Sequence, residues 1–161
     1  TVFTAYPGGK ADLFREALDE AVAGPGDTSA TQGRPTVRRP GDRPMTEADL
    51  IVEQVVDYGA EMLERAGGLL MTSVESSGAD PDMRRFAEED ARATADNART
   101  IAEGLYEGGW LRPDITAEHA ADVLYTLISP QVHSLLRRDC GWDIAHYRSW
   151  LASTLRATLL R

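Results

Sequence analysis

Trp110-Leu111-Arg112-Pro113-Asp114-Ile115-Thr116-Ala117-Glu118-His119-Ala120-Ala121-Asp122-Val123-Leu124 carries a loop into a helix. Thr116 is placed to cap the free N–H groups of that helix, and Ala120, Val123, Leu124, Leu127, Ile128, Leu135 and Leu136 recur at three- and four-residue spacing. The pattern predicts a helix from Ala117 to about Arg138, kinked at Pro130, where a backbone donor is missing. Cys140-Gly141-Trp142 reads as a turn. A last helix from Asp143 to Arg161 follows, with Ile144, Tyr147, Trp150, Leu151, Leu155, Leu159 and Leu160 along it.

The preceding sequence repeats the helical grammar. Asp80-Pro81 supplies a cap and a proline at the first helical position, and Met83, Phe86, Ala87, Ala91, Ala98, Ile101, Ala102 and Leu105 keep one face apolar to Gly108-Gly109. Small residues on that face permit close helix approach. Upstream, Thr46-Glu47-Ala48-Asp49 has the hydroxyl and carboxylate of a capping box, and Ile51, Val55, Tyr58 and Met62 form an apolar stripe to about Arg65. Gly67-Gly68 is expected to loosen or break this helix, with Leu69 to Ser76 resuming as a short one. Ala11 to about Ala23 is a further helix, stopped by Gly24-Pro25. Gly24 to Pro44 is rich in Gly, Pro, Ser, Thr and Arg and reads as a linker. Its Arg34, Arg38, Arg39 and Arg43 suit DNA or an acidic partner or, more simply, solvent.

The chain has 161 residues, 42% of them apolar, enough for one good core and an appendage. Its net charge of −9 repels a polyanion, so a basic DNA-binding face has to come from residues outside this stretch. The single cysteine, Cys140, excludes an internal disulfide, and with no signal-like or membrane-length apolar run the cytoplasm is the expected location.

At the amino terminus, Thr1-Val2-Phe3-Thr4-Ala5-Tyr6-Pro7-Gly8-Gly9-Lys10-Ala11-Asp12-Leu13-Phe14 combines a helix tail, a glycine turn and a helix start carrying Lys10. Free N–H groups and a cation there suit a phosphate. The same residues also serve as a plain turn between helices. The stretch resembles the signature of TetR-type transcriptional regulators, in which the tail of the recognition helix, the turn and the fourth helix follow in this order. Gly109-Trp110-Leu111-Arg112-Pro113-Asp114, Ala120-Ala121-Asp122-Val123-Leu124, Gly141-Trp142 and the closing leucine-rich helix are similar to the C-terminal domain of the same family. Phe3, without a hydroxyl, and the doubled glycine depart from the commoner family pattern.

The resemblance implies an all-α fold: a remnant of a helix-turn-helix domain at residues 1–23, a linker at 24–44, and a ligand-binding and dimerisation domain at 45–161. It implies contacts to double-stranded operator DNA from Thr1, Phe3, Thr4, Tyr6 and Lys10, with further reader helices upstream of Thr1. It implies a pocket for a small-molecule effector, for which Tyr58, Met62, Met71, Glu75, Phe86, Tyr106, Trp110, Tyr125 and His133 are candidates, along with Met45; ordinary core packing is the competing role for each. The last two helices carry apolar residues on more than one face, which predicts a homodimer. Leu124, Ile128, Val132, Leu136, Tyr147, Trp150, Leu151, Leu155 and Thr158 are its candidate contacts, unless they pack within one chain.

No constellation suggests an enzyme, a cofactor or a metal. His119 and His133 would lie about 21 Å apart on one helix, Glu88-Glu89-Asp90 reads as a solvated acidic face, and Cys140 has no helix-fixed base beside it. The expected function is a ligand-responsive transcriptional regulator, usually a repressor in the family. The alternative is a helical small-molecule-binding or protein-interaction module that does not touch DNA.

Overall fold

The computed structural model describes residues 10–23 and 45–161. Among them the chain is all-helical: α1 (Lys10–Ala23), α2 (Glu47–Ser76), α3 (Pro81–Glu107), α4 (Ala117–Leu127), α5 (Pro130–Ser134), a π-helical turn (Leu135–Asp139) and α6 (Ile144–Leu159). No described helix is long and apolar enough to cross a membrane. The residues 24–44 read as a linker lie outside the described residues.

Each long helix after α1 starts where its cap dictates. The Thr46 hydroxyl accepts from the Asp49 N–H while the Asp49 carboxylate takes the Thr46 N–H, closing the capping box of α2. Asp80, Thr116 and Asp143 cap α3, α4 and α6 through their side-chain oxygens. After α3 the chain turns through Gly108 and Gly109. Gly109 has φ +67°, and the Trp110 indole occupies the space a Cβ at Gly108 would need.

Two expectations about helix continuity are corrected. α2 does not break at Gly67-Gly68 but runs 30 residues to Ser76. Two glycines cost it about 2 kcal/mol of helix propensity; burial of Leu63, Ala66 and Leu70 on the same segment outweighs this. The helix expected from Ala117 to Arg138 does not bend at Pro130 but stops at Leu127. Ser129 then caps a new helix, its hydroxyl oxygen accepting from the Val132 N–H, with Pro130 in the first turn where its missing donor is harmless.

α2 is the central element and touches α1, α3, α5 and α6, while α4 lies along α3. The main core joins Val52, Val56 and Ala60 of α2, Ala98, Ala102 and Leu105 of α3, Ala120 and Leu124 of α4, and Tyr147, Leu151, Leu155 and Leu159 of α6. A smaller cluster of Leu18, Leu63, Ala66, Leu70 and Phe86 holds α1 down, and Ile128 packs against both. The buried line of α2 is thus displaced by about one residue from the expected stripe of Ile51, Val55, Tyr58 and Met62. Glycine and alanine on the true buried face, Gly59, Ala60, Ala66 and Gly67, make it look less apolar than it is.

The opposite edge of the α2–α6 contact is ionic. Arg156 meets Asp49 at 3.1 Å and also Glu53, and Arg148 meets Asp57 at 3.6 Å and Glu61 at 3.1 Å; beyond α6, Arg137 of the π-helical turn continues the line to Glu64 at 2.7 Å. The pairing order runs up α2 as it runs down α6, so the two helices are antiparallel. The end of α6 is fastened to the α3–α4 loop: Leu111 and Leu160 form an antiparallel bridge, and the Arg112 N–H donates to the Leu159 carbonyl at 2.8 Å.

Candidate functional site

The nominated effector residues do not converge. Tyr58 and Tyr106 are 60% and 61% exposed, and Met45, Glu75 and Tyr125 also face solvent. Met62, Met71 and Trp110 are half-buried. Only Phe86 and His133 are buried, in different neighbourhoods: Phe86 meets Phe14 edge-on at 5.3 Å beneath α1, and His133 meets Tyr147 edge-on at 5.1 Å between α2 and α6. Tyr58 is adjacent to Gly59 and Ala60, the residues that face the core, so the same turn of α2 directs its ring outward.

The nominated dimer residues divide. Leu124, Tyr147, Leu151 and Leu155 are at most 2% exposed within one chain and leave no surface for a second copy. Their apolar excess is absorbed by α2 and α3. Ile128, Val132, Leu136, Trp150 and Thr158 remain partly exposed. Of the nominated DNA contacts, Thr1, Phe3, Thr4 and Tyr6 lie outside the described residues; Lys10 opens α1, and its side chain lies outside them as well.

Three arrangements stand out instead. The first is an open groove of about 650 Å³ between α4 and α6, floored by Val123, Leu127, Thr154 and Thr158 and edged by Glu118, His119 and Asp122. The second is a cleft of about 460 Å³ between α1 and α3, lined by Leu18, Val22, Ala23, Phe86 and Ala93 with Arg15, Asp19, Glu89 and Asp90. Asp90 corrects the expectation of a solvated acidic run. Glu88 and Glu89 are exposed, but Asp90 is half-buried, and burial raises its carboxyl above the ordinary value. Its position four residues after Phe86 on the buried line of α3 was the available signal.

The third arrangement is a polar cluster where the π-helical turn meets α2. The Arg137 guanidinium donates to both Glu64 oxygens, at 2.7 Å and 2.8 Å, and to the Trp142 carbonyl. His133 Nε2 lies 2.9 Å from Glu64 Oε1. The Arg137 hydrogen bonds hold the Glu64 carboxyl below its ordinary value despite partial burial, so Glu64 is an acceptor and Nε2 carries the imidazole proton. Burial pushes His133 below its ordinary value, against the opposing hydrogen bond from Glu64. Tyr147 is fully buried and its hydroxyl meets no partner among the described residues; burial, then the Glu64 charge, push that phenol up to about 12. Sequence reasoning missed Glu64 and Arg137 because they are 73 residues apart and each looks like an ordinary surface charge.

Among the described residues no three His, Cys, Asp or Glu side chains are grouped to hold a metal ion, and Cys140 is exposed. The cluster and the clefts offer binding surfaces and a rigid polar core. Comparison with known proteins adds no relative: the chain matches no family profile, no curated protein and no solved structure.

Proposed function

We propose that this chain is the regulatory part of a homodimeric, ligand-responsive DNA-binding transcription factor of the TetR type, acting in the cytoplasm. The observation that supports this best is the open groove between α4 and α6, where Val123, Leu127, Thr154 and Thr158 lie on a face without a neighbouring helix among the described residues. Two antiparallel helices with an apolar, threonine-rich seam suit a self-complementary two-fold contact. The turn and helix start at Tyr6 to Lys10 add the resemblance to a DNA reader whose last helix is α1. In this reading α1 links reader and core through Leu18 and Phe86, and an effector that fits one seat of α1 better shifts the spacing of the paired readers. Release of a repressor is the sign implied by the resemblance.

A second reading rests on charge. With −9 over 161 residues the chain itself repels DNA, which favours a helical binding module if no basic reader accompanies it. The deciding experiment takes the protein from its complete reading frame, measures its mass by light scattering, and titrates it against DNA from its own upstream region by fluorescence anisotropy at several salt concentrations. A dimer that binds a palindromic site at least a hundred-fold above random DNA, with affinity falling as salt rises, supports the regulator. A monomer, or binding indifferent to sequence, sinks it in favour of the module.

A further inference from the structure

Asp90 is the least expected side chain in the fold. It projects from the Phe86 side of α3, under α1, into a cleft floored by Leu18, Val22 and Ala93. A carboxylate moved out of water normally acquires a cation. One is near: Arg15 lies on the facing helix. Its guanidinium instead reaches Glu89 at 3.4 Å on the exposed rim and sits 5.9 Å over the Phe86 ring. Among the described residues neither Asp90 nor Asp19, across the cleft on α1, is paired with a base.

This open cleft therefore brings together an apolar floor, the Phe86 ring beneath Arg15, and two carboxylates that Arg15 does not pair. We propose that the α1–α3 cleft binds an organic amine with an apolar or aromatic body, its ammonium held by Asp90 and Asp19 and its body laid against Phe86 and Val22. Partial burial already disfavours the Asp90 carboxylate, and an ammonium beside it restores the charged form. The Arg15 guanidinium already over the Phe86 ring marks that face as one that attracts a cation, and an amine seated there takes the place of Arg15. An amine seated there bridges the two helices and fixes the angle of α1, so its effect on DNA affinity rests on the regulator reading; the binding site does not.

The test uses the full-length protein with methyl-labelled Leu, Val and Ala, titrated by NMR with 4-phenylbutylammonium and, separately, with its neutral analogue 4-phenylbutanol. The expected result is saturable movement of the Leu18, Val22 and Ala93 methyls, with a Kd for the ammonium at least ten-fold below that for the alcohol. Asp90→Asn should erase that preference while leaving the spectrum folded. Asp90→Leu should abolish ammonium binding yet raise the Tm of the free protein by a few degrees, which a structural partner of α1 would not do. Equal Kd values for the two probes overturn the proposal, as does a preference that survives in Asp90→Asn or a fall in Tm for Asp90→Leu. Operator binding is measured on the same sample without probe. Operator binding with no amine preference overturns this inference alone, and amine preference with no operator binding overturns the regulator reading alone.

Discussion

One substitution made twice on α2 should have opposite signs. At Gly68, exposed and with nothing within 4 Å of the place a Cβ would occupy, alanine adds only helix propensity. The gain is about 0.5–1 kcal/mol. At Gly59 the same propensity gain applies, but the new methyl would stand 2.9 Å from Ile128 Cγ2. Carbon atoms settle at about 3.5–4.0 Å, so Ile128 must retreat by roughly 0.6–1.1 Å. It has little room, because it packs against both core clusters at the end of α4. Overpacking of this kind costs about 1–3 kcal/mol. The helix term cancels in the comparison, so the stability gap between Gly68→Ala and Gly59→Ala isolates the packing cost. Urea denaturation followed by helical circular dichroism, at one protein concentration because a dimer would make stability concentration-dependent, measures the gap. In an Ile128→Ala background Gly59→Ala should turn stabilising. A gap below about 0.5 kcal/mol, or a Gly59 penalty unchanged without Ile128, would refute the packing argument.

Further outcomes follow from the polar cluster and the two cores. Tyr147→Phe should leave stability unchanged or raise it by up to about 1 kcal/mol, since it deletes a buried hydroxyl without a partner; a loss above that in thermal melts would reveal a missed hydrogen bond. The Tyr147 pKa is raised in the folded state from 10.0 to about 12, so its contribution is fully present below pH 10 and fades as pH climbs to about 12; absorbance at 295 nm should show a late phenol step that Tyr147→Phe removes. His133 is lowered from 6.5 in the folded state, so stability should decline as pH falls below 6.5, and His133→Gln should flatten that acid slope in urea titrations at stepped pH. Leu155→Ala should cost about 2–5 kcal/mol as a core truncation. On the proposed dimer, Thr158→Arg in the open groove should shift light-scattering mass from dimer to monomer with Tm falling no more than dissociation requires; a mass that does not change on substitution would refute an interface at this groove.

What was legible in the residues was local. Caps at Thr46, Asp80 and Thr116 and the stop at Gly108-Gly109 are short-range chemistry, and all are where the residues imply. Tertiary burial kept α2 continuous across Gly67-Gly68, which propensity reasoning cannot see. Ser129 mattered more than Pro130: a cap one residue before a proline starts a helix instead of bending one. Hydrophobic periodicity misjudged the face of α2 because Gly59, Ala60, Ala66 and Gly67 interrupt its buried line of Val52, Val56, Leu63 and Leu70 while Tyr58 points outward. The candidate sites were the least legible. Apolar richness cannot distinguish an intrachain core from an interface, as Tyr147 and Leu155 show, and a carboxylate such as Asp90 reveals itself only when the helix packed above it is known.

The ionic edge between α2 and α6 has a mechanical consequence. Asp49, Glu53, Asp57 and Glu61 recur every fourth residue, so α2 presents a carboxylate at each turn, while α6 offers Arg148 and Arg156 eight residues apart. An arginine displaced by one helical turn, about 5.4 Å, leaves one carboxylate and meets the next. Such a rail resists separation of the helices but offers little resistance to sliding. The brake on that sliding is the interlocked ring and leucines of Tyr147, Leu151 and Leu155, and enlarging the space around them would free a shear motion along α2 rather than pull the bundle apart.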